Sequence, residues 1–292
     1  MNTLRPLAMG IGSLPHLEAA PAVDFVLSCF KDDILFWPQL PKRDFFEQMT
    51  LQFSRGIPGL AVDKDKKRVW VDTKSEGFSA SLEVCFQHYL DDDRDYFAIG
   101  PDYAAGWYEL LARLDSGEAR EIKGIKGQVV GPITLGMSLR TEEGQPIIYH
   151  PELRDALVKT LAMRARWQAV VLKRATSHEP RATIIISIDE PYLASWGSSF
   201  WALSKEDVVA GLNEVAAGIH KEGALCAVHC CANTDWPVLL SADLDILSFD
   251  AYGYLDNLLL YPDALAGFLR RGGILAMGVV PNSPQAEEKN RD

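Results

Sequence analysis

From Ile122 onward the chain repeats one pattern, and that pattern restricts the fold more than any other feature. A short apolar run is followed by a turn and then by a stretch of helical periodicity. The runs are Ile125–Val130, Thr183–Ile188, Ala224–His229, Asp245–Phe249 and Ile274–Val280. Helical patterns fall over Pro151–Ser177, Lys205–Glu222, Trp236–Leu240 and Pro262–Arg271. Thr183-Ile-Ile-Ile-Ser-Ile188 has almost no polar alternation, as expected of a strand covered on both faces. Strands of that kind alternating with helices predict a parallel sheet with helices packed over it.

The N-terminal part carries the same rhythm. Leu7–Gly12 reads as a strand running into the loop Ser13–His16, Glu18–Phe30 as a helix, and Ile34–Trp37 as a second strand broken by Pro38. Asp44–Phe53 reads as a helix capped by Asp44, with Glu47 three residues on. Between about 57 and 121 the pattern changes. Arg68–Asp72 alternates like a hairpin strand after the charged turn Asp63–Lys67, and helical stretches surround Asp91–Asp95. This stretch reads as an insertion. The expected fold is α/β, a (β/α)8 TIM-type barrel as a single domain over 1–283 that lacks its last strand and helix. Seven barrel-type strands can be counted. The polar stretch 284–292 does not read as the eighth strand.

Polar and reactive residues gather just past the strand ends, where a barrel of this kind places its active site. They are Ser13, Asp189-Glu190, His229-Cys230-Cys231 and Asp250. His229 and Cys231 stand two apart on one strand, so they share a face and their Cα atoms are roughly 6–7 Å apart. An imidazole nitrogen and a thiolate suit zinc, and Asp250 after the next strand could add an oxygen. Alternatively, these are incidental residues at a strand end. Asp189 and Glu190 are candidate catalytic carboxylates. Beside a core they need a polar pocket, where they could hold an ammonium group or orient a metal ligand. A helix cap or salt bridge would also account for them. Asp235-Trp236 reads as a helix cap with a packing aromatic, Trp37–Pro41 as either a pocket mouth or a rigid loop, and Asp91–Asp95 as a solvated surface.

The bulk numbers exclude several classes of function. A formal charge of −11 argues against nucleic acid as a partner. No apolar run has the length of a membrane span and no export signal opens the chain, so a cytoplasmic protein is expected. The five cysteines follow no disulfide spacing and are expected to be reduced, with Cys226 buried as a small hydrophobe. Gly10-Ile-Gly12 is too short a match to indicate nucleotide binding.

Four segments together are similar to the catalytic barrel of cobalamin-independent methionine synthase and its short single-barrel relatives. They are Ile11-Gly-Ser13 after the first strand, Val130-Gly-Pro-Ile-Thr134 after the third, Ile188-Asp-Glu-Pro191 after the fourth, and His229-Cys-Cys231 after the fifth. The resemblance implies a zinc-dependent methyltransferase that acts on the thiol of homocysteine or a similar small thiol. It implies His229 and Cys231 as zinc ligands, with Asp250 where the family usually has a glutamate. It implies Asp189 on the amino group of homocysteine, and Ile11 and Ser13 on its amino-acid backbone. In the family a cysteine after the eighth strand completes the zinc site, and the sequence stops before such a residue. The N-terminal half that helps bind folate is also lacking, which makes a methyl-corrinoid, carried on a partner protein, an alternative donor to methyl-folate. Two rival readings remain: a metal-free enzyme resembling uroporphyrinogen decarboxylase, and a non-catalytic barrel serving as a binding module.

Overall fold

A computed structural model describes residues 6–119, 121–195 and 202–280. Six strands form one parallel sheet: β1 (Ile34–Phe36), β4 (Gly124–Val130), β5 (Thr183–Asp189), β6 (Leu225–Cys230), β7 (Ile246–Phe249) and β8 (Ile274–Met277). They pair in that order, so each follows its neighbour in sequence. The result is a curled half-barrel, consistent with part of a TIM-type barrel. β2 (Leu60–Asp63) and β3 (Arg68–Val71) form a separate antiparallel hairpin, where hairpin alternation was read.

The segment expected as the first strand does not join as a full one. It touches the sheet through two isolated parallel bridges, Met9 to Ile34 and Ser13 to Gln39. Six strands, rather than seven, therefore make the described sheet. Gly12 explains the interruption: its φ of +144° lies outside extended backbone for any residue with a side chain.

The helices are α1 (Ala19–Phe30), α2 (Met49–Gln52), α3 (Phe78–Leu90), α4 (Ala105–Asp115), α5 (Pro132–Ser138), α6 (Pro151–Ala175), α7 (Lys205–Lys221), α8 (Trp236–Ser241), α9 (Ala251–Leu259) and α10 (Pro262–Arg270). Their ends follow local chemistry. α6 starts on a proline and closes with Lys173 and Arg174 in its last turn. α7 begins with a reciprocal capping box between Ser204 and Asp207. The predicted helix over Asp44–Phe53 is broken. Asp44 does cap it, accepting from the Phe46 N–H, but only a 3₁₀ turn follows before extended Gln48 interrupts the run ahead of α2.

Two apolar layers hold the sheet. The larger lies between the sheet and the helices and includes Trp37, Trp107, Leu161, Ile186, Val215 and Trp236. The smaller lies on the concave side, where Ile34, Ile185, Ala227 and Ile246 pack with Met9, Leu225 and Ala276. This is a barrel-type interior layer drawn from β1, β5, β6, β7 and β8, and β4 places Lys126 opposite Ile185 at the same level. The elements between β1 and β4 are tied to α6 by Arg164. Its guanidinium is buried and donates to the carbonyl oxygens of Phe97, Phe53 and Arg55. Asp92, expected to be simply solvated, contacts Arg166 and Lys221. Trp37 and Leu40 are fully buried, and the Trp37 indole donates to Gln168 Oε1 at 3.1 Å. Trp37–Pro41 is thus a packed loop rather than a pocket rim. Among the described residues no helix is long and apolar enough to cross a membrane. The stretch 284–292 lies outside the described residues.

Candidate functional site

Above the concave apolar layer the interior turns polar. Alternation along the strands brings Lys126 and Gln128 of β4, Ser187 and Asp189 of β5, His229 of β6 and Ser248 of β7 to the same side. Met9, Gly10, Ile11, Lys126, Ser187, Asp189, His229 and Ser248 line a narrow cleft there, too tight in this structure to hold a water molecule.

Asp189 is buried, and its Oδ1 accepts from Ser187 Oγ at 2.8 Å. Burial raises its pKa, and the positive charge of Lys126 opposes that rise. His229 Nδ1 lies 3.0 Å from Ser248 Oγ. Burial lowers the imidazole's pKa, while Asp189 pulls the other way. Lys126 is 1 % exposed and donates to the Ile11 carbonyl at 2.6 Å and to Gln128 Oε1 at 2.9 Å. Burial lowers its pKa to about 8, partly offset by Asp189. Gln128 in turn donates to the Trp37 carbonyl at 3.0 Å.

Of the residues singled out from sequence, Ile11, Asp189 and His229 meet at this cleft. The others do not line it. Glu190 faces away and serves as a helix cap: its carboxylate accepts from the N–H groups of Ile133 and Thr134, both at 2.9 Å, and from Thr134 Oγ1 at 2.7 Å. The carboxylate therefore satisfies free donors at the N-terminus of α5. Gly131 makes this approach possible, because a Cβ there would stand 2.1 Å from the Glu190 carboxyl. Burial raises the pKa of Glu190 to about 7, against the pull of its three donors.

Asp250 likewise caps the next helix, accepting from the Gly253 N–H at 3.2 Å. Cys231 is exposed, while its neighbour Cys230 is buried, its thiol 3.4 Å from the Ala232 carbonyl. Ser13 is exposed beside its bridge to Gln39. Asp235 stands at the start of α8 but makes no side-chain capping bond; Trp236 is the packing aromatic, edge-on to Phe249.

The donor types fit zinc, but the positions do not form one set. No three of the histidine, cysteine and carboxylate side chains among the described residues converge as a metal site. Asp250 is bonded to its own helix, and Cys231 lies outside the cleft that His229 lines.

Sequence reasoning missed Lys126. The available signal was its spacing: Lys126 and Gln128 alternate within a run otherwise apolar or glycine, so both point to one face of a strand buried on both sides. A scan against protein-family models and a search of curated proteins each found no match to this chain.

Proposed function

We propose that the chain is the barrel of a methyltransferase acting on homocysteine or a similar small amino thiol. The observation that carries the reading is the meeting of Asp189 and His229 at one cleft beside Ile11. The methyl-transfer chemistry itself rests on the likeness of the four strand-end segments to cobalamin-independent methionine synthase. The donor is a methyl-folate or a methyl-corrinoid, the latter carried by a partner protein.

The chain's own residues supply two tasks. Asp189 binds the substrate ammonium by a charge-assisted hydrogen bond. His229, kept neutral by burial, takes the thiol proton on Nε2 in the tautomer whose Nδ1–H donates to Ser248. The sulfur then attacks the methyl carbon, and the donor leaves with the electron pair of the broken bond. Zinc bound in such a site would supply a thiolate directly. Because the donors do not converge, no step is drawn through it.

The test is homocysteine methylation with methylcobalamin and methyl-folate in parallel, combined with zinc analysis of the wild type and Cys231→Ser. Methionine formed from either donor supports the reading, and none from both overturns it. Zinc well below one per chain, unchanged in Cys231→Ser, agrees with the observed donor positions. One zinc per chain that is lost in Cys231→Ser would restore His229 and Cys231 as ligands. The lining of the cleft contains no arginine, which sets it apart from the arginine-dependent chemistry of a uroporphyrinogen decarboxylase-like enzyme.

A further inference from the structure

The chain itself closes the cleft. Three of the eight lining residues, Met9, Gly10 and Ile11, come from the N-terminal segment rather than from the sheet. Ile11 is 48 % exposed, whereas Asp189 on the opposite wall is buried. Backbone bonds pin this segment on both sides. Ile34 N–H donates to the Ala8 carbonyl and Gln39 N–H to the Gly12 carbonyl, both at 3.0 Å, and Leu14 N–H donates to the Gln39 carbonyl at 2.9 Å. Between these pins the side-chain anchor among the described residues is Lys126, whose ammonium donates to the Ile11 carbonyl at 2.6 Å. Met9 packs into the concave apolar layer. Ile11 does not, and glycines flank it on both sides. Gly10 lies against the Phe36 ring, where a Cβ would approach to 2.3 Å, and Gly12 holds φ +144°. Neither has a side chain to resist rotation. A short tip is thus tied to the interior by one charged hydrogen bond, between bases that are packed or paired.

We propose that Gly10–Gly12 is a strap over the cleft and that Lys126 is its latch. Rotation at the two glycines lifts Ile11, breaks its bond to Lys126 and opens the way to Asp189 and His229. Ile11 is already half exposed, so lifting it uncovers little apolar surface, and the main cost is the latch. Lys126 still donates to Gln128 Oε1 when the strap is raised, so its ammonium keeps a partner. One hydrogen bond to a charged group holds the open state to roughly one molecule in ten to one in a hundred. The strap gates the cleft for any ligand, so the inference stands apart from the methyltransferase reading.

Two measurements on the free protein test it, each on the wild type and Lys126→Met, with thermal melts to confirm folding. The first is residue-resolved hydrogen exchange. In the wild type the Gln39 amide, bonded to the strap, should be less protected than the amides of β5 by about tenfold or more. Lys126→Met should accelerate Gln39 by about tenfold to a hundredfold and leave β5 unchanged. The second is carbethoxylation by diethyl pyrocarbonate at about pH 8, where both imidazoles compared are neutral. His229 should react about tenfold or more slowly than exposed His178 in the wild type, and Lys126→Met should bring the two rates together. A merely structural lysine would accelerate Gln39 and β5 by the same factor, and that result overturns the strap, as does a Gln39 rate that Lys126→Met leaves unchanged. If Lys126→Met does not fold, the wild type decides: Gln39 protected as strongly as β5, or His229 labelled as fast as His178, overturns the proposal.

Discussion

Asp189 and His229 are register partners in the β5–β6 ladder, and both line the same cleft. Adjacent parallel strands thus hold a carboxylate beside an imidazole with no flexible loop between them. Burial lowers the histidine's pKa and the carboxylate partly restores it. Asp189→Asn keeps the shape and removes the charge. The expected result is a KM for the amino thiol raised about tenfold or more, as loss of one charge-assisted hydrogen bond requires. Steady-state kinetics with homocysteine check this, and an unchanged KM would remove Asp189 from the binding site.

Glu190 should act on stability rather than on turnover. Glu190→Ala leaves the first N–H groups of α5 and Thr134 without their acceptor, at a cost of about 1–3 kcal/mol. Urea unfolding measures it, and a difference near zero contradicts the capping role.

The same carboxyl imposes a pH dependence. Its folded pKa, about 7, lies above the ordinary 4.5, so the folded state binds the proton more tightly than the unfolded chain. The resulting stabilisation is complete below about pH 4.5 and is lost as pH rises through about 7. Glu190→Gln cannot titrate, so its stability should fall less than the wild type's between pH 5 and pH 8 in the same urea series.

Gly12 sits at φ +144°, and a Cβ there would lie 2.8 Å from Gln128 Nε2 and 2.9 Å from Gln39 Oε1. Gly12→Ala should cost about 1–3 kcal/mol through backbone strain and displacement of Gln128. Because Gln128 also receives Lys126, amino-thiol binding should weaken in parallel. A variant with wild-type melting temperature and binding would refute this.

Arg164 connects three carbonyls of the segment between β1 and β4 to α6. Arg164→Met should destabilise that segment by about 3 kcal/mol or more, since buried carbonyls lose charged donors. Hydrogen exchange should show Ile57–Val71 opening at lower cost than β5. Equal protection in both would show that the insertion is held by other contacts.

Much of the sheet was legible because its strands are chemically uniform. The isoleucines of β5 admit few alternatives, and Gly223 marks the end of α7. The first strand was over-read: Leu7–Gly12 is apolar enough, but a conformation open only to glycine interrupts the ladder. α5 and α9 escaped detection because each is short and follows directly on a strand. Their capping residues, Glu190 and Asp250, were visible only as acids beside a candidate metal site. Helix capping by a residue 57 positions from the N–H it serves depends on the strand order, which no local pattern encodes. Lys126 was missed for the opposite reason, a charged residue overlooked inside an apolar run.

β8 is the outer strand of the sheet, and Ile274 and Met277 are each about half exposed along it. Its far edge has no partner strand among the described residues, so it offers a template for pairing between molecules. The opposing influence is long-range: each copy carries a formal charge of −11, and like-charged copies repel. Salt removes this protection, since the Debye length falls from ~10 Å at 0.1 M to ~3 Å at 1 M. The chain's colloidal stability is therefore electrostatic, and light scattering at fixed concentration should increase as salt is added.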